Sequence, residues 1–426
     1  MTSSEAEPAD VREVALRVVR RLREGGHQAL WAGGSVRDRL LGREASDIDV
    51  ATSARPDEVQ AAFRRSIPVG VQFGVVRVRE RAREGVMVEV EVATFRVDAE
   101  YEDGRRPASV RFTGPEEDAR RRDFTINGLF YDPIDDEVLD FVGGRDDLVR
   151  GVVRAIGDAH ARFLEDRLRI LRAPRFAAAL GFRLDEATVA AGRGHAAEVP
   201  ACVSPERVHT ELQKVLDAAT RARGLALCEE VGVLAHVLPE ARVDLPRALR
   251  ALAALPADAP VDAAWAAALH LAGPAAAEAA LARLRASNAQ RERVRATLEA
   301  LDVAGRLWEL GVAEQKRFLR RPEVTRWAVG ADPVFDEVLR AVLLAGDGDL
   351  EPHRYLTARA RAFAADPTPA RFDAPPLVRG ADLQAAGLKP GKHFGPALAA
   401  AEEAQLEGRA ATREDALAIA LAAAGA

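Results

Sequence analysis

The sequence predicts an α+β chain, with strands concentrated in the N-terminal third and helices making up the rest. Three observations carry this. Short apolar runs bounded by glycine recur through residues 29–93, and several alternate apolar with polar positions, the period of a half-buried strand. From about residue 217 the chain is rich in alanine and leucine and is broken only by short Pro/Gly stretches. Hydrophobic residues make up 48% of the 426 positions, which suits a largely helical protein of two to four domains.

Bulk properties narrow the setting. No early apolar run resembles a signal peptide, and no uninterrupted apolar stretch is long enough to span a bilayer. Cys202 and Cys228 are too few for a disulfide framework or a cysteine metal set. A reducing, cytoplasmic setting is therefore expected. The net charge of -6 gives no global sign of nucleic-acid binding, so an RNA partner would need a local basic surface.

In chain order, Asp10 is expected to cap a helix that places Val11, Val14, Leu16, Val18, Val19 and Leu22 toward one side. Gly25-Gly26 ends it. Residues 29–32 read as a strand running into Gly33-Gly34, and Ser35 is expected to cap a helix over 36–41. A strand follows over 47–52, and Pro56 opens a short helix to Phe63. Residues 67–78 read as two strands around Gly70 and Gly74. Residues 86–93 form another, with Val86, Val88, Val90 and Val92 on one face and Glu89 and Glu91 on the other. Residues 96–113, RVDAEYEDGRRPASVRFT, offer few core anchors and read as a loop. Gly143-Gly144 gives a turn, with Asp146 capping the next helix.

The most informative stretch is residues 33–52, GGSVRDRLLGREASDIDVAT. Glycines let the backbone approach a ligand closely, and the free N–H groups of a helix start favour an anion such as phosphate. Arg37, in the first turn, is placed to reach a phosphate oxygen. Asp47 and Asp49 alternate with Ile48 and Val50, so both carboxylates project to one side. Their repulsion calls for a divalent cation, and Mg²⁺ prefers oxygen ligands. A phosphate cradle beside a metal clamp suits nucleotidyl transfer with two metals, ~4 Å apart, stabilising the attacking and leaving oxygens. Each half alone is ordinary: Gly-Gly before a helix is commonly a turn, and Asp-x-Asp a solvated strand end. On spacing alone both readings stay open.

Two further stretches carry charge in patterns. Residues 117–132, EDARRRDFTINGLFYD, place three arginines before Asp123; by itself this is also what a solvated basic helix end looks like. In residues 164–182, LEDRLRILRAPRFAAALGF, Asp166, Arg169, Arg172 and Arg175 recur every three residues. Such steps form a slanted stripe on a helix, ~4.5 Å apart along its axis. An Asp–Arg pair sets acceptors beside donors, as one edge of a base does, and so suits reading cytosine and adenine without a template. An ion-paired surface helix has the same spacing.

Taken together, residues 33–52, the RRDFTIN run at 121–127, the ED-x-x-R pattern from Glu165 to Arg169 and the ERV-x-x-EL-x-K-x-L pattern at 206–216 resemble the class II tRNA nucleotidyltransferase and bacterial poly(A) polymerase family. That family lies within the DNA polymerase β-like nucleotidyltransferase superfamily. The resemblance is strong over 28–216 and weaker beyond, where RLRASNAQRERV at 283–294 and residues 378–426 carry it. It implies a polymerase β-like head with a mixed sheet over 1–148, then an all-helical neck over 149–216, body over 217–345 and tail over 346–426.

It also implies roles. Asp47 and Asp49 would hold Mg²⁺, and Gly34 and Arg37 would touch the nucleotide. Arg122 would meet phosphate or ribose, and Asp123 would accept the 2′-hydroxyl, a selection for ribonucleotides because the deoxy analogue leaves a polar group unpaired. Asp166 and Arg169 would read the incoming base, with Arg172 and Arg175 orienting base or phosphate. Glu91, leading into Thr94-Phe95-Arg96, is the choice over Glu89 for a third carboxylate. Pro174 departs from the small or branched residue usual there, and a proline inside a helix tends to kink it, which sets Arg175 apart from the other three. The 206–216 segment reads as bracing the neck. His270 reads as a packed histidine, with no His-Asp pair after it.

The implied activity is addition of C and A to the 3′ end of tRNA from CTP and ATP, releasing pyrophosphate. The acceptor arm would be a partner, docking on the tail near Lys389, Lys392 and His393. The loop at 96–113 would help switch from C to A, and its presence disfavours a relative that adds only C. Three other readings remain: an enzyme adding only the terminal A, a poly(A) polymerase, and an inactive RNA-binding protein. Gly70-Val71-Gln72-Phe73 stands where family polymerases carry Gly-basic-basic-Phe, which argues against the second. The intact carboxylates and arginines argue against the third.

Overall fold

A computed structural model describes residues 7–45, 47–70, 74–82, 85–98, 110–328 and 330–425. They form two units, Met1–Val215 with Arg223–Val237, and Leu216–Ala222 with Leu238–Ala426.

The first unit opens with helix α1, Pro8–Glu24, which buries Val11, Val14, Ala15, Val18, Val19 and Leu22 and stops at Gly25. Glu7, not Asp10, occupies its N-cap; Asp10 lies one turn in and accepts from the Glu7 N–H. Then come β1 (Ala29–Ala32), α2 (Gly34–Leu40), β2 (Asp49–Thr52), α3 (Pro56–Ala62), β3 (Ser66–Gly70), β4 (Val75–Arg81) and β5 (Met87–Thr94). Strands β6 (Arg96–Asp98) and β7 (Val110–Phe112) pair antiparallel. The ends of the expected loop are thus a ribbon, and its middle, 99–109, lies outside the described residues. So do residues 71–73 of the Gly70–Phe73 comparison. Helix α4 (Pro115–Arg120), β8 (Leu129–Asp132), β9 (Glu137–Asp140) and α5 (Gly144–Arg150) follow.

The main sheet has seven strands in the order β3-β4-β5-β2-β1-β8-β9. It is mixed: β2 runs parallel to β5, and the other pairs are antiparallel. Alternation explains the faces of β5, where Val88, Val90 and Val92 are buried and Glu89 and Glu91 exposed. Asp140, rather than Asp146, receives the N–H groups at the start of α5, accepting from Val142, Gly143, Gly144 and Arg145. Gly144 is required there, because a Cβ would lie 2.3 Å from the Thr125 carbonyl oxygen.

After the two-residue strand β10 (Val152–Val153), helices α6 (Ala159–Glu165) and α7 (Arg169–Leu180) are separate. Asp166 sits in the extended break between them, so the expected single stripe is corrected: only Arg169, Arg172 and Arg175 share a helix. Pro174 is accommodated inside α7, buried. Helices α8 (Glu186–His195), α9 (Val199–Cys202) and α10 (Pro205–Asp217) follow, with the two-residue β11 (Arg183–Leu184) before them.

The second unit is helical. Its cores gather Leu307, Phe318, Phe335 and Leu356 in one cluster, and Leu383, Ala397, Ala404 and Ala420 in another. His270 Nδ1 donates to the Ala267 carbonyl oxygen at 2.8 Å, as a packed residue does. Lys389 and Lys392 are exposed between the helices Gly380–Ala385 and Phe394–Leu406. No helix among the described residues is long and apolar enough to cross a membrane.

Candidate active site

Strand register sets up the site. Ala32 on β1 pairs with Asp49 on β2, so the Gly33-Gly34 turn that leaves β1 lies alongside the carboxylates entering β2. The helix after the turn begins at Gly34, one residue before the expected cap. Ser35 is buried and turns back, its Oγ donating to the Ala32 carbonyl at 3.1 Å. Gly33 adopts φ +71°, and a Cβ there would lie 2.9 Å from Nη1 of Arg122. Only glycine lets that guanidinium come so near.

The strand proper starts at Asp49, and Asp47 stands in its lead-in. Both are accessible from the cleft, within which the Asp49 carboxyl is recessed, while Ile48 between them is buried in the core, as alternation requires. The Asp49 carboxyl is pushed up to about 6 by burial first, then by the charges of Asp47 and Glu91, with Arg122 working against them. Negative charge therefore accumulates here beyond what the protein offsets. Glu91 neighbours Asp49 through the parallel pairing of Val50 with Val92, but its carboxylate lies 3.1 Å from Arg77.

A cleft of about 620 Å³ brings together Gly33, Gly34, Arg37, Asp47, Asp49, Arg122, Asp123, Asp166, Arg169 and Arg172. Nine of the ten residues expected to act on nucleotide or metal thus share one cavity with Gly33. Arg175 does not line it, and faces a neighbouring cavity instead.

Each arginine is held. Arg37 donates to both oxygens of Asp38 at 2.9 Å and to Asn127 Oδ1 at 2.8 Å. Arg122 donates to Asp118 and to the Asn127 carbonyl and stacks on Phe130, 4.9 Å from the ring centre. Asp118 is buried; burial alone would raise its carboxyl, yet Arg121 and Arg122 hold it below the usual range. Arg169 is buried and donates to the Arg162 carbonyl, to Glu165 and to the Arg121 carbonyl.

Asp123 is more engaged than expected for a residue awaiting a ribose. Oδ1 accepts from the Phe124 N–H and from Asn127, and Oδ2 from Arg172. Burial works to raise its carboxyl, but Arg172, Asn127 and Arg169 hold it below the usual range. Asp166 accepts from the Leu168 N–H at 3.0 Å and from Arg207 Nη2 at 2.8 Å.

Sequence reasoning missed three residues. Arg207 was assigned to bracing, yet it lines the cleft and pairs with Asp166; its Nη1 is buried with no hydrogen-bond partner among the described residues. Glu211, buried, lies 3.0 Å from Arg175 and 3.7 Å from Arg172. Asp118, on α4, sits three and four residues before Arg121 and Arg122 at and just past its end, a spacing that was legible. For Arg207 and Glu211 no local signal existed, because their partners lie some forty residues away.

Comparison with known proteins points to one family. The model of the poly A polymerase head domain matches residues 29–154, and that described as "Probable RNA and SrmB- binding site of polymerase A" matches residues 181–245. A CCA-adding enzyme of Geobacillus sp. (strain WCH70) is 42% identical over 224 residues, 52% of this chain and 54% of the relative. One from Latilactobacillus sakei subsp. sakei (strain 23K) is 39% identical over 268 residues, 62% and 65%. The aligned stretch thus spans about half to two thirds of these curated relatives' length. The solved Bacillus stearothermophilus CCA-adding enzyme in complex with CTP superposes with a TM-score of 0.73 at 30% identity, covering 98% of both chains. A Thermotoga maritima CCA-adding enzyme complexed with tRNA_CCA shares the fold, with a TM-score of 0.63 at 19% identity over 98% and 96%. With the glycine turn, the paired aspartates and the arginine face in one cleft, and with near-complete overlap on a relative at 30% identity, the chain belongs to the class II tRNA nucleotidyltransferase and bacterial poly(A) polymerase family.

Proposed function

We propose that the chain adds C and A nucleotides to the 3′ end of tRNA without a nucleic-acid template, using CTP and ATP and releasing pyrophosphate. The observation that carries this is the single cleft in which the Asp47–Asp49 pair meets both the glycine turn and a face of arginines. Residues 1–148 act as catalytic head, 149–216 as neck, 217–345 as body and 346–426 as tRNA-binding tail, in a cytoplasmic protein.

Members of this family use a divalent metal. The residues here fit one: carboxylates at the start of β2 and in its lead-in, with the Asp49 acid driven upward by burial and then by the charges of Asp47 and Glu91, form a hard oxygen donor set of the kind Mg²⁺ takes. Asp47 and Asp49 would hold Mg²⁺, which when bound lowers the pKa of the attacking hydroxyl and stabilises the leaving oxygen. Glu91, tied to Arg77, shapes the local field and is a third carboxylate only if that pair opens.

The chain's own residues do the rest. The Gly34 backbone with Arg37 and Arg122 receives the triphosphate. Asp166 keeps one lone pair on each oxygen beyond its bonds to Leu168 and Arg207, and so accepts from the exocyclic amino group shared by cytosine and adenine. Arg169 uses three of its five N–H groups on the protein, leaving two to donate to the neighbouring ring nitrogen. Uracil and guanine present the opposite polarity there and are rejected. Arg172 orients base or phosphate, and Arg175 stands behind it at the Phe176 ring. Asp123 holds Arg172 in place and has little capacity left for the ribose.

The test uses tRNAs ending before the first C or after the second, with labelled CTP and ATP supplied separately and together. Incorporation of both nucleotides, C before A, is the expected result. ATP incorporation alone, onto the second substrate only, would show an A-adding enzyme; repeated ATP addition would show a poly(A) polymerase; none would leave an RNA-binding protein.

A further inference from the structure

The cleft has a neighbour. Arg37, Asp38 and Phe176 line it on one side, and on the other they line a second cavity of about 290 Å³ that Arg43, Arg175 and Lys214 also bound. The wall between them is cationic. The guanidinium carbons of Arg37, Arg172 and Arg175 lie 5.3, 5.2 and 4.3 Å from the centre of the Phe176 ring. A ring face attracts cations, but three like charges around one ring still repel.

The second cavity is not neutralised by the protein. Its cations are Arg37, Arg43, Arg175 and Lys214, against Asp38 and Glu44. Asp38 is spent on Arg37. Buried Glu211 lies 3.0 Å from Arg175 and 3.7 Å from Lys214, yet Arg175 Nε and Glu211 Oε2 face each other without hydrogen-bond alignment. Arg43 has no ion-pair partner among the described residues. Such a pocket attracts a compact anion of high charge.

Resting on the reading that the cleft transfers nucleotides, we propose that this second cavity receives inorganic pyrophosphate as it leaves. In the transfer, the RNA 3′-oxygen forms a bond to the α-phosphorus, and the bond from that phosphorus to the bridging oxygen breaks. The electron pair departs with pyrophosphate. The anion then passes Arg37 and Phe176, exchanging the cations of the cleft for Arg43, Arg175 and Lys214, and so empties the triphosphate site for the next nucleotide.

The test compares wild type with Arg43→Gln, Lys214→Gln and the double variant, in single-turnover incorporation and in inhibition by added inorganic pyrophosphate. Arg43→Gln is expected to leave single-turnover incorporation unchanged. The double variant is expected to raise the pyrophosphate inhibition constant by about fivefold or more, since charges facing a phosphate act mainly through local attraction. An unchanged inhibition constant would overturn the proposal, as would an equal rise in Arg150→Gln, which removes an exposed charge that lines neither cavity. Should wild type incorporate nothing, the transferase reading itself fails. Calorimetry with inorganic pyrophosphate then judges the cavity alone: weaker binding by the double variant supports it, and equal binding refutes it.

Discussion

Nε of Arg172 donates to Oδ2 of Asp123 at 2.9 Å, and Nη2 lies 2.7 Å from the same oxygen. One carboxylate of the head thereby fixes an arginine of the helix that faces it. Breaking a buried pair from one side costs about 3–5 kcal/mol. Arg172 keeps 31% of its side chain exposed, and asparagine retains an acceptor, so Asp123→Asn is expected to cost about 2–3 kcal/mol. Urea unfolding of the single variants and of Asp123→Asn/Arg172→Gln would check it, the double variant losing less than the sum.

Acid should reveal the same carboxylates. Asp118 and Asp123 are held below the usual range by the arginines beside them. A depressed folded pKa gives stability that is complete above the unfolded value, about 3.9, and is lost as pH falls through the folded one. The stability gap between wild type and Asp118→Asn should be constant from pH 7 to about 5 and close below about 4. Denaturation midpoints across that range decide it.

Asp49 runs the other way. Its carboxyl is pushed up to about 6, so without metal its charge opposes folding above that pH. Asp49→Asn should raise the melting temperature of the metal-free protein at pH 8, with the gain shrinking between pH 6 and about 4. Added Mg²⁺ should stabilise wild type more than the variant. The same substitution, and Asp47→Ala, should abolish incorporation.

Arg207 holds Asp166 from outside the helix pair. Arg207→Leu frees that carboxylate, and misplacing a positioning contact by an ångström costs on the order of 10²-fold in rate. The expected signature is a fall in kcat/KM for CTP and ATP together with increased misincorporation of UTP. A purely structural role would lower the melting temperature without changing nucleotide preference.

Gly33→Ala should fail locally. Its backbone lies at φ +71°, ψ -131°, a region essentially closed to other residues and costing about 1–3 kcal/mol. The new methyl would also displace Arg122. Incorporation is expected to fall by on the order of 10²-fold, as for loss of one charge-stabilising donor, in a protein that still folds by circular dichroism.

Much of this was legible in the residues themselves. Alternation across Asp47, Ile48, Asp49 and Val50 fixes which side the carboxylates take, and the valines of β5 do the same for Glu89 and Glu91. What was illegible depends on distant partners or on geometry finer than a period. Three-residue spacing cannot reveal that the chain extends at Asp166 before α7 starts. Nor can it reveal that Glu211 and Arg207 reach back across some forty residues. Ser35 looked like a cap because serines commonly are; the turn instead places Gly33 there, and the hydroxyl closes on its own strand.

The pairing of Ala32 with Asp49 also constrains how this fold can change. Sliding β2 by a single position against β1 would send Asp49 into the core and bring Val50 out, losing both carboxylates at once. Residues added between Leu40 and Asp47 would leave the pairing frame intact, but would shift Arg43 in the second cavity. β1 and β2 therefore behave as one frame, and a slip in either strand is felt at both carboxylates.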